Sequence, residues 1–253
     1  MSERTSYEPG TPSWIDIGVP DRDRAAAFYG GLFGWTMEID PSPDAGGYGM
    51  FLLRGKRVAG VGPQMDTGLP PFWAVYVTVD DVKSAMDTAA SGGATVVMGA
   101  MDVLDAGCMG VLQDPLGAFV SVWGARGSVG CELVDEPGTF VWNELATTDL
   151  PRARDFYRTL FGWRVDEQAE SSDGAVFTAG GQQVCGAHIV APGETPGWLV
   201  WFAVDDCDES ATWAEELGGR IVMPPSDMDF GRGAVIADTA GALLGITGMV
   251  VAS

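Results

Sequence analysis

Trp14-Ile-Asp-Ile-Gly-Val-Pro-Asp21, running on through Phe28-Tyr29 to Leu32-Phe33-Gly34-Trp35, returns as Trp142-Asn-Glu-Leu-Ala-Thr-Thr-Asp149, Phe156-Tyr157 and Leu160-Phe161-Gly162-Trp163. Each matched pair is 128 residues apart, Trp14 to Trp142 and Trp35 to Trp163 alike. The chain is therefore one fold written twice, and any site is to be sought at paired positions. The rest of each copy agrees. Trp73-Ala-Val-Tyr76-Val-Thr-Val-Asp80-Asp81 recurs as Trp198-Leu-Val-Trp201-Phe-Ala-Val-Asp205-Asp206, and Asp114-Pro-Leu-Gly117 as Asp238-Thr-Ala-Gly241.

Trp14 to Val19 alternates large apolar with polar or small residues, as a half-buried strand does. Asp21 stands where an N-cap belongs; Ala25, Phe28, Leu32 and Phe33 follow at helical spacing, and Gly34 closes the helix. Short strands are predicted at Trp35 to Ile39, Gly49 to Arg54 and Lys56 to Val61, split by Pro/Gly/Asp turns, which makes a β-α-β-β-β module. A second module follows: strand Trp73 to Val79, helix Val82 to Ser91, and strands Thr95 to Met98, Gly107 to Leu112 and Phe119 to Trp123. Two modules per half and four in the chain define an α+β protein. The Gly-, Ser-, Glu- and Pro-bearing stretch 124–139 reads as a linker between units at 12–123 and 140–250, each long enough to bury its own core. Asp80, Asp81, Asp205 and Asp206 stand directly before helices and read as caps before they read as acid sites.

A content of 46% hydrophobic and 10% aromatic residues places the chain among globular proteins. Its 35 acidic against 14 basic residues leave a net charge of −21, which repels nucleic-acid phosphates and anionic membranes and excludes both as expected partners. Met1 to Thr11 lacks a charged-then-apolar pattern and no apolar run approaches membrane-spanning length, so the expected location is cytoplasmic. Cys108, Cys131, Cys185 and Cys207 form no C-x-x-C pair, which argues for free buried thiols rather than a zinc knuckle or redox motif.

The Asp-capped helix ending in F-Y-x-x-L-F-G-W, the strand carrying V-D-D, and D-P-x-G before the last strand resemble the vicinal oxygen chelate superfamily, which includes glyoxalase I, bleomycin-resistance proteins and extradiol dioxygenases. The resemblance runs over nearly the whole chain, twice. It implies two tandem glyoxalase/bleomycin-resistance-type domains, each of paired βαβββ modules forming a cup-shaped sheet and packed as a pseudo-dimer within one chain; homodimerisation stays open. It also implies where a metal would be held: Trp14, Ala74 and Ser121 in the first half, and Trp142, Leu199 and Gly245 in the second. Apart from Ser121, a weak donor, none of these is a metal ligand. The single histidine, His188, matches Gly62 of the first copy and completes no His/carboxylate set. No metal and no other cofactor are expected.

The two-residue period of a strand shows which side chains share the cup face with those positions. Trp14 goes with Asp16, Ala74 with Tyr76, Phe119 with Ser121, Trp142 with Glu144 and Leu199 with Trp201. Trp14, Asp16, Tyr76, Phe119, Trp142, Glu144 and Trp201 are therefore the candidate ligand-binding residues, an aromatic lining with one carboxylate per cup. The competing reading has Trp14 and Trp142 plugging the vacated sites as core. His188 reads as structural or surface, and Arg232 as a turn residue or a ligand contact. The expected function is metal-independent binding of an aromatic or cationic small molecule, as in the drug-sequestering branch. One alternative is a metal-free cyclase, isomerase or hydrolyase using Asp16 or Glu144 as the acid/base. Another is an interaction protein with both clefts closed.

Overall fold

The structure, a computed structural model, describes residues 3–65, 68, 70–228 and 230–248. The first half contains β1 (Pro12–Val19), α1 (Arg22–Phe33), β2 (Thr36–Ile39), β3 (Gly49–Leu53) and β4 (Lys56–Pro63) as one module. Its second module is β5 (Trp73–Thr78), α2 (Val82–Ser91), β6 (Thr95–Val103), β7 (Gly107–Gln113) and β8 (Phe119–Ala125). The second half repeats the order: β9 (Phe140–Thr147), α3 (Leu150–Phe161), β10 (Arg164–Val165), β11 (Gly174–Ala179) and β12 (Gln182–Ile189). Then come β13 (Gly197–Val204), α4 (Cys207–Glu216), β14 (Arg220–Met228), β15 (Gly231–Ala237) and β16 (Leu243–Gly248). Val250, the predicted end of the second unit, lies outside the described residues.

Each half forms one eight-stranded sheet, β2-β3-β4-β1-β5-β8-β7-β6 and its counterpart β10-β11-β12-β9-β13-β16-β15-β14. The central pairs β1/β5 and β9/β13 are antiparallel, and their registers set Trp14 opposite Tyr76 and Trp142 opposite Trp201. Among the described residues, each of α1 to α4 starts from an aspartate whose carboxylate accepts a backbone N–H three residues on: Asp21, Asp81, Asp149 and Asp206. Capping accounts for those side chains without any catalytic role. Strand β6 runs past the predicted Thr95 to Met98 because register shifts at Val96/Met98 and Met98/Met101 let the ladder absorb extra residues.

The expectation that each half buries its own core is corrected. Phe33, Trp35 and Trp73 of the first half meet Phe202 of the second at ring-centroid distances of 5.0, 5.6 and 5.2 Å. That core joins the first module to the last one, while Val77, Leu112 and Val120 share a second core with Tyr157, Phe161 and Trp163. The physical reason is that a sheet face and a short amphipathic helix leave an apolar flank, and the other half covers it. Two hydrogen bonds clasp the crossing. Tyr29 Oη donates to Asp238 Oδ2 at 2.8 Å, and Tyr157 Oη to Asp114 Oδ2 at 2.8 Å, all four side chains buried. The other oxygen of each aspartate holds the D-P-x-G-type turn, Asp114 Oδ1 accepting from Leu116 N and Ala118 N, Asp238 Oδ1 from Ala240 N and Ala242 N. The F-Y motif of each half is thus the partner of the aspartate turn of the other.

The connecting segment also packs. Cys131 and Leu133 are buried, Cys131 N donates to Ser13 O at 2.8 Å, and Glu132 N to Arg57 O at 2.7 Å. Among the described residues no helix is long and apolar enough to cross a membrane.

Candidate ligand-binding cups

In the first cup the register places Asp16 between Gly60 on β4 and Ala74 on β5, with Tyr76 beside Ser121 on β8. Asp16 Oδ2 accepts two phenol bonds, from Tyr76 Oη and from Tyr48 Oη, each 2.9 Å long. Tyr48 Oη in turn accepts from Trp14 Nε1 at 3.0 Å. Trp14, Asp16, Tyr76 and Ser121 are thereby brought together, and Tyr48, absent from the sequence candidates, completes the group. Asp16 retains some exposure but is encircled by protein, and this desolvation raises its pKa to about 6 against the downward pull of the two phenol bonds. Among the described residues neither phenol reaches Oδ1. Gly60 makes the arrangement fit, since a Cβ there would overlap Tyr48 Oη and crowd Asp16. Phe119 sits at the rim, stacked on the exposed Phe72 with centroids 5.9 Å apart.

The second cup solves the same problem with different residues. Glu144 Oε1 meets His188 Nδ1 at 3.1 Å, and His188 Nε2 meets Glu194 Oε1 at 3.0 Å. Trp142 Nε1 leans toward Glu144 Oε2 at 3.4 Å. Gly186, the counterpart of Gly60, again leaves room for the carboxylate. The registers make Gly174 the counterpart of Tyr48 and His188 that of Gly62. Each cup therefore takes its carboxylate's partner from one of two neighbouring strands and has glycine where the other cup has the side chain. Trp201 lies against Gly245, where a Cβ would run into the indole, and meets Phe230 edge-on at 5.2 Å.

His188, read from the sequence as structural or surface, is a part-exposed bridge between two carboxylates, and hydrogen bonds to Glu144 first and Glu194 second raise its pKa to about 9. A raised folded-state value stabilises the protein fully below the ordinary 6.5 and loses that contribution as the pH rises through about 9. More than a third of the side chain is exposed, so the effect on stability is held to about 1 kcal/mol or less by solvent screening. His188 is the only histidine, so a proton NMR titration should give a single imidazole transition near pH 9. A midpoint at 6.5 would contradict the bridge. Arg232, read from sequence as a turn residue or ligand contact, forms ion pairs with Asp208 and Asp227.

The implied metal positions do not fit a metal. Trp14 is committed to Tyr48, Ala74 has no donor, Ser121 offers a lone hydroxyl beside Tyr76, and the Trp201 ring covers Gly245. Among the described residues no group of three or more His, Cys, Asp or Glu side chains gathers as a metal ion would need.

The two sheets and their repeated modules define a class, and the comparisons agree with it. The family model "Glyoxalase/Bleomycin resistance protein/Dioxygenase superfamily" matches residues 11–122 and 130–246. The chain belongs to this superfamily. It is 39% identical over 254 residues to "Putative glyoxylase CFP32" of Mycobacterium bovis, covering 97% of each chain. It is 38% identical over 255 residues to "Anthracycline biosynthesis protein DnrV" of Streptomyces peucetius, covering 94% of this chain and 93% of that one. Among solved structures, the Mn(II)-bound glyoxalase from Novosphingobium aromaticivorans superposes with a TM-score of 0.66 at 15% identity, covering 95% of this chain and 82% of that one. The 2,3-dioxygenase LapB from Pseudomonas sp. KL28 gives 0.66 at 13% identity, with 94% and 91% covered. At such identities the two structures show the fold alone.

Proposed function

We propose that the chain binds a flat aromatic organic molecule in its first cup without the help of a metal ion. The observation that carries this reading is the Trp14–Tyr48–Asp16–Tyr76 network, in which Trp14 holds one of the positions that the family resemblance implies for a metal ligand. Aromatic faces supply contact area and a directed carboxylate supplies orientation. Relatives named for the biosynthesis of anthracyclines, which are flat polycyclic aromatic compounds, support the ligand class. Trp142, Glu144 and Trp201 form the matching wall of the second cup. The net charge of −21 disfavours nucleic acid and anionic membranes as partners, and four free cysteines support a reducing, cytoplasmic setting.

Asp16 also favours a second reading, acid/base catalysis on the bound molecule. A carboxyl with a pKa of about 6 can take and return a proton near neutral pH, and both phenol bonds fall on Oδ2. Titration with a dihydroxyanthraquinone, followed by tryptophan quenching and product analysis, tests both readings. Phe119→Ala, a rim change that leaves the core intact, should weaken binding by about 1–2 kcal/mol through lost contact area. Recovery of unchanged probe supports binding alone, and turnover abolished by Asp16→Asn supports catalysis. Elemental analysis after metal-supplemented expression should find no stoichiometric transition metal; a tightly held equivalent would overturn the metal-free reading.

A further inference from the structure

Tyr48 reaches the first cup from the end of a turn, and one arginine ties that turn to α1. The chain leaves β2 at Ile39, makes a single 3-10 turn over Pro43–Ala45 and enters β3 at Gly49. Gly46 and Gly47 both take the left-handed conformation, with φ of 59° and 82°, a reversal that glycine makes without a Cβ penalty and that aims the residue after it. The bonds of the turn itself are internal. Ser42 Oγ accepts from Asp44 N at 3.3 Å, Tyr48 N donates to Ala45 O at 2.9 Å, and Asp40 N donates to Tyr48 O at 3.0 Å. Such bonds close the turn on itself without fixing where it sits over the sheet. Arg22, the first residue of α1, supplies that link by donating through Nη1 to Gly47 O.

Acidic residues outnumber basic ones 35 to 14 in this chain. Yet among the described residues the half-buried Arg22 forms no ion pair and commits its guanidinium to a carbonyl. A long side chain loses rotamer freedom when it is held in one place, so a single bond to a neutral acceptor is a weak staple. What the bond does fix is the carbonyl directly before Tyr48. From there the Tyr48 hydroxyl donates to Asp16 Oδ2 at 2.9 Å and accepts from Trp14 Nε1 at 3.0 Å. The other end is anchored, since Asp21 caps α1 and the helix buries Ala25, Phe28 and Tyr29.

In the second half these features are lost together. The repeat puts Leu150 in the place of Arg22, Asp173 in that of Gly47 and Gly174 in that of Tyr48. Leu150 is buried, so the helix does not need an arginine to begin. That half ties turn to helix from another position: Arg154, in the place of Ala26, pairs with Glu170 and stops short of Gly174. The tie that ends beside the cup is present only where there is a tyrosine to place.

We propose that Arg22 is a positioning residue of the first cup: through the Gly47 carbonyl it sets the Tyr48 hydroxyl on Asp16 and Trp14, and so fixes the polar end of the site that a ligand meets. The inference rests on the reading of the first cup as the ligand site.

Fluorine NMR of the whole chain labelled with 3-fluorotyrosine tests it, because there are only five tyrosines and Tyr48→Phe identifies the Tyr48 resonance. Arg22→Ala should move that resonance toward the position of free fluorotyrosine while those of Tyr7, Tyr29 and Tyr157 stay in place. Arg22→Lys, which can still donate to the carbonyl, should keep it near the wild-type position, and so should Arg154→Ala. Tryptophan quenching by the dihydroxyanthraquinone gives a second readout. Arg22→Ala and Tyr48→Phe should each weaken binding about tenfold, the scale of one lost hydrogen bond, and the double variant no further than either, since both remove the same contact. An unmoved Tyr48 resonance in Arg22→Ala overturns the proposal, and so do additive losses in the double variant. Displacement of all five resonances, or an equal displacement in Arg154→Ala, would make Arg22 a plain structural staple and overturn it too. A wild-type protein that does not bind the probe removes the ligand reading instead, and the resonance still decides whether Arg22 places Tyr48.

Discussion

Asp16→Asn is expected to make the protein more stable at pH 8 and no more stable near pH 4. The folded-state pKa of Asp16 lies near 6, above the ordinary 3.8, because burial disfavours the carboxylate. Stability from the protonated group is therefore fully present below the unfolded value and is lost as the pH rises through about 6. Above that point the wild-type protein carries a charge its surroundings resist. The rise from 3.8 to about 6 corresponds to about 2–3 kcal/mol, an upper range because Asp16 keeps some solvent contact. Asparagine preserves the shape and can still accept from Tyr48 and Tyr76 through its carbonyl oxygen. Urea unfolding of both proteins at pH 4 and pH 8 measures the difference directly. A variant that is equally stable or weaker at pH 8 would show that the carboxylate sits comfortably charged, and the case for Asp16 as an acid/base would go with it. A gain would identify the first cup as a place where stability is given up for a group kept reactive.

Tyr29→Phe should be among the most damaging single-atom deletions in the chain, and Tyr157→Phe should match it. Each removes one hydroxyl and leaves a buried aspartate oxygen, Asp238 Oδ2 or Asp114 Oδ2, without its donor. Stranding a buried carboxyl oxygen without its donor costs about 1–3 kcal/mol. The rings themselves remain packed, so the loss is that of the bond alone. The two clasps share no residue, so the double variant should lose close to the sum. Thermal and urea denaturation of the three variants checks this. Losses below about 0.5 kcal/mol, the range of ordinary surface changes, would mean that the clasps are ornaments on cores that hold without them.

Helix starts and strand faces could be read from the sequence because both are local. An aspartate ahead of an apolar period caps its own helix, and a two-residue alternation states which side chains share a face. This sufficed to bring Trp14, Asp16 and Tyr76 together, and Trp142, Glu144 and Trp201. The pairing of cores across the halves was illegible for a physical reason: periodicity tells which face is apolar and nothing about whose surface covers it. Tyr48 escaped because it follows the Asp44-Ala-Gly-Gly47 turn, just outside β3. Extending the inward period back from Met50, which faces Gly60, would have found it. Glu194 lies on the turn between β12 and β13, where no period operates. His188 was visible, but its meaning depends on Glu194 and so on the folded loop.

The exchange of Tyr48 and Gly62 in one cup for Gly174 and His188 in the other has a consequence for how such a protein can specialise. In an assembly of two identical subunits, any substitution in one cup appears in both, and symmetry forbids a division of labour. Joining the copies in one chain lifts that constraint while guaranteeing one of each per molecule. One cup surrounds its carboxylate with neutral phenols and the other pairs it with an imidazolium. The molecule is in this sense a heterodimer whose stoichiometry cannot drift, and its two compartments are free to recognise different chemistry or opposite ends of one compound.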